Sequence, residues 1–159
     1  MQNIISSVDL EIIIRLILAM LCGMIIGTER ILAHKTAGMR TYALVSLGAA
    51  LFVVISEYMF MSMGSNSSGV DPFRMASAVV SGIGFLGAGI IFMKDNQITG
   101  ITTASSIWVV AGIGIACGFG LFTLAIFATV ITLFIFVVLW IVEQRLKKIS
   151  LYDNQKNDY

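Results

Sequence analysis

The nine residues SGIGFLGAG, at positions 81–89, have the spacing of a phosphate-binding loop. Gly82, Gly84 and Gly87 fit the pattern G-x-G-x-x-G, in which glycine backbones approach a dinucleotide pyrophosphate at the N-terminus of a helix. That chemistry also requires a preceding strand and an acidic residue about 20 residues later. The motif therefore has to be judged by the element that carries it.

Ionisable and hydroxyl residues beside apolar runs could do a different chemistry, the binding of ions at membrane depth. An ionised side chain at the centre of a membrane helix costs about 2.5–3.5 kcal/mol on insertion scales, so each one needs a partner or a use. We therefore take the following as candidate binding or functional residues: Glu29, Arg30, Arg40, Thr41, Asp71, Arg74, Thr102 and Thr103.

Spacing suggests partners for the charges in the first part of the chain. Glu11 and Arg15 are four residues apart, which places them on one face of a helix. The segment between Glu29 and Arg40 is short, so that these two residues can meet where two apolar runs end. We predict a Glu11–Arg15 pair and a Glu29–Arg40 pair.

The later candidates combine a helix start with a group of hydroxyls. Asp71 precedes Pro72, and an aspartate cap followed by proline is a typical first turn of a helix. Arg74, three residues after Asp71, can pair with it. The hydroxyl residues that include Thr102 and Thr103 can bond to backbone carbonyls, bridge helices or line a polar vestibule. The sequence leaves these alternatives open.

Few residues could support catalysis or a metal site. His34 is the single histidine, which argues against a histidine metal site or a catalytic dyad. Cys22 and Cys117 lie in apolar runs near opposite faces of the membrane, so we expect two buried thiols at depths too different for a disulfide. We expect a protein that is not an enzyme and that has no cofactor.

Composition identifies the class of protein. Hydrophobic residues make up 58% of the 159 residues and charged residues 12%, against about 45–50% and about 25% in soluble domains. Too little polar surface remains to cover a soluble fold of this size. The formal net charge of +1 argues against nucleic acid, which needs a basic face. We predict a membrane protein that is embedded in the lipid bilayer.

The apolar runs define the architecture. A spanning helix needs about 20 largely apolar residues, and the single proline and the absence of alternating segments favour helices over a barrel. We predict an all-α membrane helix bundle over residues 1–143 and a short basic, polar cytoplasmic tail over 144–159. The five predicted spans are 10–27, 41–63, 72–93, 101–117 and 121–142.

The distribution of basic residues predicts the orientation. Five spans place eight of the ten Lys and Arg residues on one side of the membrane, and such loops face the cytoplasm. We therefore expect the N-terminus outside and the C-terminus in the cytoplasm.

These spans place the glycine-rich stretch in the middle of the third helix, where no strand precedes it and no phosphate can reach it. Small residues at helical spacing instead let helices pack closely in lipid. As an alternative, the glycines could break the helix and expose carbonyls to an ion, as in transporters. We predict close packing of the third helix on the fourth through Ala78, Gly82, Gly84, Gly87, Ala88, Gly89 and Gly112.

Four blocks of sequence together resemble the MgtC/SapB family of bacterial inner-membrane proteins. They cover most of residues 23–120 in the order of the family, whereas the fifth span and the tail match only in character. The blocks are GMIIGTER at 23–30, AGMRTYALVSLGAAL at 37–51, DPFRMASAVVSGIGFLGAGIIF at 71–92 and GITTASSIWVVAGIGIACGFG at 100–120.

The resemblance implies a five-span membrane domain with its N-terminus outside, in the bacterial inner membrane. Longer members also carry a soluble cytoplasmic C-terminal domain, and the likeness here is to the membrane domain. By this likeness, the candidate residues fall on family blocks: Glu29 and Arg30 on Gly-x-Glu-Arg, Arg40 and Thr41 on Arg-Thr, Asp71 and Arg74 on Asp-x-x-Arg, and Thr102, Thr103, Ala104 and Trp108 on Thr-Thr-Ala…Trp.

The resemblance also implies a function. Better-known members are linked to growth in low magnesium and to survival inside macrophages, and some are described as inhibitors of the F-type ATP synthase. We therefore expect a non-enzymatic protein that modulates another membrane complex in low magnesium or host stress. The F-type ATP synthase is the candidate partner, and a homo-oligomer is the expected assembly. The alternative is a small transporter or channel for magnesium or protons.

Overall fold

The chain forms a bundle of helices that are long and apolar. The computed structural model describes residues 2–63, 71, 73–94 and 96–147. Within these residues, five helices could cross a membrane, so the predicted all-α membrane bundle is confirmed. The helices are α1 (Gln2–Leu32), α2 (Met39–Met63), α3 (Phe73–Ile90), α4 (Ile101–Gly118) and α5 (Phe122–Phe134), and α5 continues through a π-helical segment, Ile135–Leu139, to Lys147.

Two helix ends differ from the predicted ones. The first helix continues to Leu32, so its last turns carry the charged residues that we expected just beyond it. The third helix ends at Ile90, before the predicted end at residue 93, because strands β1 (Phe92–Lys94) and β2 (Gln97–Thr99) form an antiparallel hairpin. Asn96 turns this hairpin with a φ of 64°, a conformation that asparagine tolerates better than most residues. Pro72 and the tail beyond Lys147 lie outside the described residues.

The fourth helix lies at the centre of the bundle and the third at its edge. In α4, 61% of the spanning residues are buried within the protein, against 11% in α3. The α4 helix packs against all four of the other helices. Gly120, with a φ of 72°, forms the tight turn that leads from α4 into α5. The third helix therefore has most of its surface turned towards the lipid.

Glycines allow three of these helices to touch backbone to backbone. A Cβ atom on Gly23 of α1 would collide with the carbonyl of Tyr42, and one on Gly27 would lie 2.6 Å from the Cα of Met39. A Cβ atom on Gly118 of α4 would lie 2.9 Å from the carbonyl oxygen of Ala50 on α2. Close backbone approach through small residues is the main source of packing energy between helices in lipid.

The predicted packing role of the glycine-rich third helix is therefore largely wrong within this chain. Only Gly87 packs as expected, with its Cβ position 3.7 Å from the Cβ of Ala104. The reason is that α3 buries a narrow face, centred on Ile83 and Gly87, and turns its other small residues outward. The remaining residues of the predicted packing set are exposed or face open space: Ala78, Gly82, Gly84, Ala88, Gly89 and also Gly112 of α4.

The two cysteines show a second difference from the sequence prediction. Both thiols are free and buried, as expected, but Cys22 and Cys117 lie next to each other rather than at separate depths. The prediction was wrong because it placed the end of α4 at the membrane surface. In the structure Arg15 of α1 reaches the last turn of α4, so α4 ends inside the bundle, near the middle of α1.

The glycine contacts predict a contrast between two positions of one helix. Gly114→Ala should lower the stability by about 1–3 kcal/mol, a typical cost of overpacking, because the new Cβ would meet the carbonyl of Ser46 and lie 2.9 Å from the Cβ of Ala49. Gly112→Ala, which meets nothing within 4 Å, should be neutral or should stabilise the helix by up to about 1 kcal/mol. Thermal unfolding in detergent measures both changes. Equal effects of the two substitutions would contradict this packing.

Candidate functional site

Charged side chains gather in two clusters at opposite ends of the bundle. Arg15 and Arg30 are fifteen positions apart on α1, about 22 Å at the rise of an α-helix, whereas the hydrocarbon core is about 30 Å thick. Both clusters therefore fit within the thickness of that core. The Arg15 cluster comprises Glu11, Arg15 and Glu57, and the Arg30 cluster comprises Glu29, Arg30, Tyr42, Thr103, Ser106 and Phe136.

Arg30 is a buried cation, only 4% exposed. Its Nε donates to the carboxylate of Glu29 at 2.5 Å, and its Cζ lies 3.6 Å from the centre of the Phe136 ring. Phe136 belongs to the π-helical segment of α5, a kind of helix defect that occurs often at functional sites. The predicted Glu29–Arg40 pair is wrong: Glu29 binds its neighbour in α1, and Arg40 is exposed.

A short chain of hydroxyls joins α2 to α4 beside this cation. Tyr42 is fully buried, and its hydroxyl bonds to the hydroxyl of Ser106. The Ser106 hydroxyl donates in turn to the carbonyl of Thr103 at 2.8 Å, so Tyr42 is the donor of the first bond. The charges of Arg30 and Glu29 are close enough to act on the Tyr42 hydroxyl. The Arg30 cluster thus connects four helices at one end of the bundle.

The interior becomes apolar between the two clusters. Ser46, one helical turn after Tyr42, is fully buried, and its hydroxyl has no hydrogen-bond partner among the described residues. Beyond it the core is filled by small and branched side chains from α1, α2, α4 and α5. These are Ala19, Cys22, Ala49, Ala50, Val53, Val110, Ala111, Ile113, Cys117 and Ala125.

The Arg15 cluster closes the other end of the bundle. Nη2 of Arg15 donates to Glu11 at 2.6 Å, so the predicted pair is confirmed. Nη1 donates to Glu57 of α2 at 2.5 Å and to the carbonyl of Gly118 at 2.9 Å. The last carbonyls of a helix lack partners within the helix, and at membrane depth no water replaces them. Arg15 therefore caps α4, and two carboxylates balance its charge.

The remaining candidates lie outside these clusters. Asp71 caps α3 as predicted, accepting a hydrogen bond from the backbone N–H of Phe73 at 2.8 Å. The expected Asp71–Arg74 ion pair is wrong, since the ion pairs of the described residues do not include it and Arg74 is exposed. The Phe73 and Phe119 rings are 5.4 Å apart, which places this helix start at the end of the bundle that holds the Arg15 cluster. Three exposed candidates lie at the opposite end, in the first turns of α2 and α4: Arg40, Thr41 and Thr102.

Several residues of the clusters were missed by sequence reasoning. Glu57 carried a signal, because an acid inside an apolar run needs a partner. Tyr42 gave a weaker one, as a hydroxyl in a predicted span. Ser106 was not missed, because it belongs to the hydroxyl residues at the start of the fourth span, for which bonds to carbonyls and between helices were among the alternatives. Phe136 gave no signal, since it is one of many aromatic residues in the fifth helix and only the π-helical turn distinguishes it.

The described residues offer no group of three or more His, Cys, Asp or Glu side chains that could hold a metal ion. The carboxylates that do lie at membrane depth are already bound to guanidinium groups. The chemistry that this arrangement supports is the joining of helices through paired charges and hydroxyls.

The contact between Arg30 and Phe136 can be tested by substitution. Phe136→Leu should lower the stability by about 2 kcal/mol or more, because a desolvated cation loses the ring that faces it. The control is Phe134→Leu, two residues earlier in α5 and 60% exposed, which should change stability little. Thermal unfolding is measured for both variants, and for Phe136→Leu combined with Arg30→Met. If the loss is unchanged when the cation is absent, the ring acts by packing alone.

Comparison with known proteins assigns the chain to a family. The sequence model of the MgtC family matches residues 16–145. The "Putative magnesium transporter YhiD" of Escherichia coli (strain K12) is 46% identical over 126 residues, which cover 79% of this chain and 59% of the relative. "Protein MgtC" of Salmonella typhimurium (strain LT2) is 42% identical over 139 residues, 87% of this chain and 57% of the relative.

A third relative, from another organism, has a similar sequence identity to this chain. "Protein MgtC" of Brucella abortus (strain 2308) is 48% identical over 112 residues, 70% of this chain and 44% of the relative. The chain thus spans about half the length of the curated relatives that it matches. No solved structure matches it. With a family match over most of its residues and five helices able to span a membrane, the chain is a multi-pass membrane protein of the MgtC family.

Proposed function

We propose that this protein is a non-enzymatic module of the bacterial inner membrane, which modulates another membrane complex during adaptation to low magnesium or host stress. Two relatives support a link to magnesium and to this family: one is named a putative magnesium transporter and the other MgtC. In this role the protein acts through contact with a partner and does not carry an ion through its own bundle.

The observation that carries this proposal is the closed apolar core. Between the Arg15 and Arg30 clusters, the described interior consists mainly of packed Ala, Cys, Val and Ile side chains, and its polar members, such as Ser46 and Thr129, contribute single hydroxyls. Magnesium keeps several water molecules when it binds and requires oxygen ligands, and neither fits between such side chains. The carboxylates at the two ends bind arginines, which leaves them unsuited to a divalent cation.

The outer face of the third helix supports a protein partner. It has exposed small residues at helical spacing, and such faces let a second helix approach closely in lipid. A helix of a membrane complex would bury this face, and by family resemblance the F-type ATP synthase is the candidate. The face comprises Ser77, Ser81 and Gly84.

The proposed orientation places the Arg30 cluster at the cytoplasmic side. Both loops at that end and the end of α5 carry most of the basic residues, in the distribution that cytoplasmic loops follow. A reporter fused to each terminus tests this orientation: the two reporters should respond to opposite sides of the membrane. If both reporters respond to the same side, the proposed orientation is wrong, and so is the assignment of each cluster and loop to the cytoplasmic or the outer side.

The competing function is transport of magnesium or protons, and the name of the Escherichia coli relative favours it. A path would then have to form between copies of the chain, because the candidate carboxylates Glu29 and Asp71 lie at opposite ends of the bundle. Purified protein in liposomes that contain a magnesium-sensitive or a pH-sensitive dye distinguishes the two functions. We expect no flux above that of empty liposomes; sustained flux with verified insertion would contradict the proposal.

The partner face is tested by Gly84→Leu. A Cβ atom at Gly84 meets nothing within 4 Å, so the variant should fold normally but should lose binding to the membrane subunits of the F-type ATP synthase. Thr123→Leu, on an exposed position of α5, is the matched control and should keep it. Crosslinking in membranes followed by affinity purification measures the binding, and growth in low magnesium measures its consequence.

The outcome against this prediction is specific. If Gly84→Leu and Thr123→Leu recover the same amount of synthase subunits and support the same growth, α3 is not the contact face. If crosslinking recovers this chain only as free protein or as a self-oligomer, the modulator role fails as well.

A further inference from the structure

A groove runs between α2 and α3, open to the membrane. It consists of two adjoining cavities of about 400 and 580 Å³ that share Val45, Phe85 and Leu86. Glycines form its floor: a Cβ atom on Gly48 or on Gly82 would meet nothing within 4 Å. The lining is almost entirely apolar, with one hydroxyl, that of Thr41, at one end.

The length of the groove matches one leaflet of a bilayer. From Thr41 to Phe52 it follows α2 for eleven residues, about 16 Å at the rise of an α-helix. Half of the hydrocarbon core is about 15 Å. An acyl chain whose headgroup lies beside the first turn of α2 would therefore reach the far end of the groove.

A cation stands at the open end of this groove. Arg40 is exposed, and the ion pairs of the described residues do not include it. It precedes Leu44 by one helical turn and Gly48 by two, so it lies on the groove side of α2, and side chains in a helix point back towards its N-terminus. Arg40 thus heads the groove at the depth of lipid phosphates.

We propose that this groove binds an anionic glycerophospholipid, with an acyl chain between α2 and α3 and its phosphate at Arg40. Basic residues at the ends of membrane helices bind such headgroups, and a guanidinium suits phosphate geometry. The complementary charge at one end and the apolar lining along the rest match the two parts of this lipid. The groove lies beside the partner face of α3, and the proposal does not depend on the function proposed above.

A helix placed in this groove would have to separate α2 from α3. An α-helix with its side chains is about 10–12 Å across, and packed helices stay 8–10 Å apart. Here α2 and α3 are already in contact with each other. The open space between them lies where Gly48 and Gly82 have no side chains. We therefore assign it to a lipid chain and not to a helix of a second copy.

Native mass spectrometry of the whole protein, with phosphatidylglycerol added at increasing concentration, tests the proposal. One phosphatidylglycerol should bind tightly, and phosphatidylcholine more weakly. Arg40→Gln should weaken the tight adduct about fivefold, as expected for the loss of about 1 kcal/mol per basic residue near an anionic surface. The control is Arg74→Gln, an exposed arginine at the opposite end of the bundle, which should leave the adduct unchanged.

A second pair of variants tests the groove itself. Gly82→Leu fills it, whereas Gly112→Leu adds the same side chain where a Cβ atom also meets nothing within 4 Å, on α4 and outside the groove. The first should reduce the adduct and the second should not. Equal loss with both arginine variants or with both glycine variants would overturn the site, and dimers in place of lipid adducts would assign the groove to a second copy.

Discussion

The contacts of α2 with α1 and with α4, made at Gly23, Gly114 and Gly118, are the interaction on which the rest of this structure depends. In lipid no hydrophobic force draws helices together, so packing must come from surfaces that fit closely. At each of these positions the helices are so close that a methyl group in place of the glycine hydrogen would clash with the neighbouring helix. Their positions set the depth of α4 in the bundle, and that depth determines which polar groups meet.

Both charged clusters follow from this placement. Because α4 ends inside the bundle, the carbonyl of Gly118 needs a donor at membrane depth, and Arg15 supplies it. At the other end the first turns of α4 bring Ser106 to Tyr42, beside the cation of Arg30. The charges are thus used to hold helices together, which agrees with a module that works through its outer surface. The third helix, left at the edge, carries the proposed partner face on one side and borders the proposed lipid groove on the other.

The sequence was sufficient for the class of fold. Long apolar runs predicted five spanning helices, and local spacing predicted the Glu11–Arg15 pair and the Asp71 cap, since both depend only on neighbours along one helix. Contacts between helices were beyond it. The glycine spacing of α3 and that of α1 look alike in the sequence, yet Gly23 is buried against α2 and Gly82 faces open space. Rotation of a helix about its axis decides this, and a single sequence does not encode it visibly. The same holds for Phe136, which a π-helical turn directs onto Arg30.

The depth of α4 can be measured directly through the two native thiols. Cys22 of α1 and Cys117 of α4 are adjacent only if α4 ends inside the bundle as described. One mercuric ion per chain should bridge them and, in the wild-type protein, resist a wash with a competing monothiol, whereas Cys22→Ser and Cys117→Ser, with one thiol each, should lose the ion to that wash, as intact mass would record. Two ions bound independently, or one ion retained by either single variant, would contradict the placement of α4.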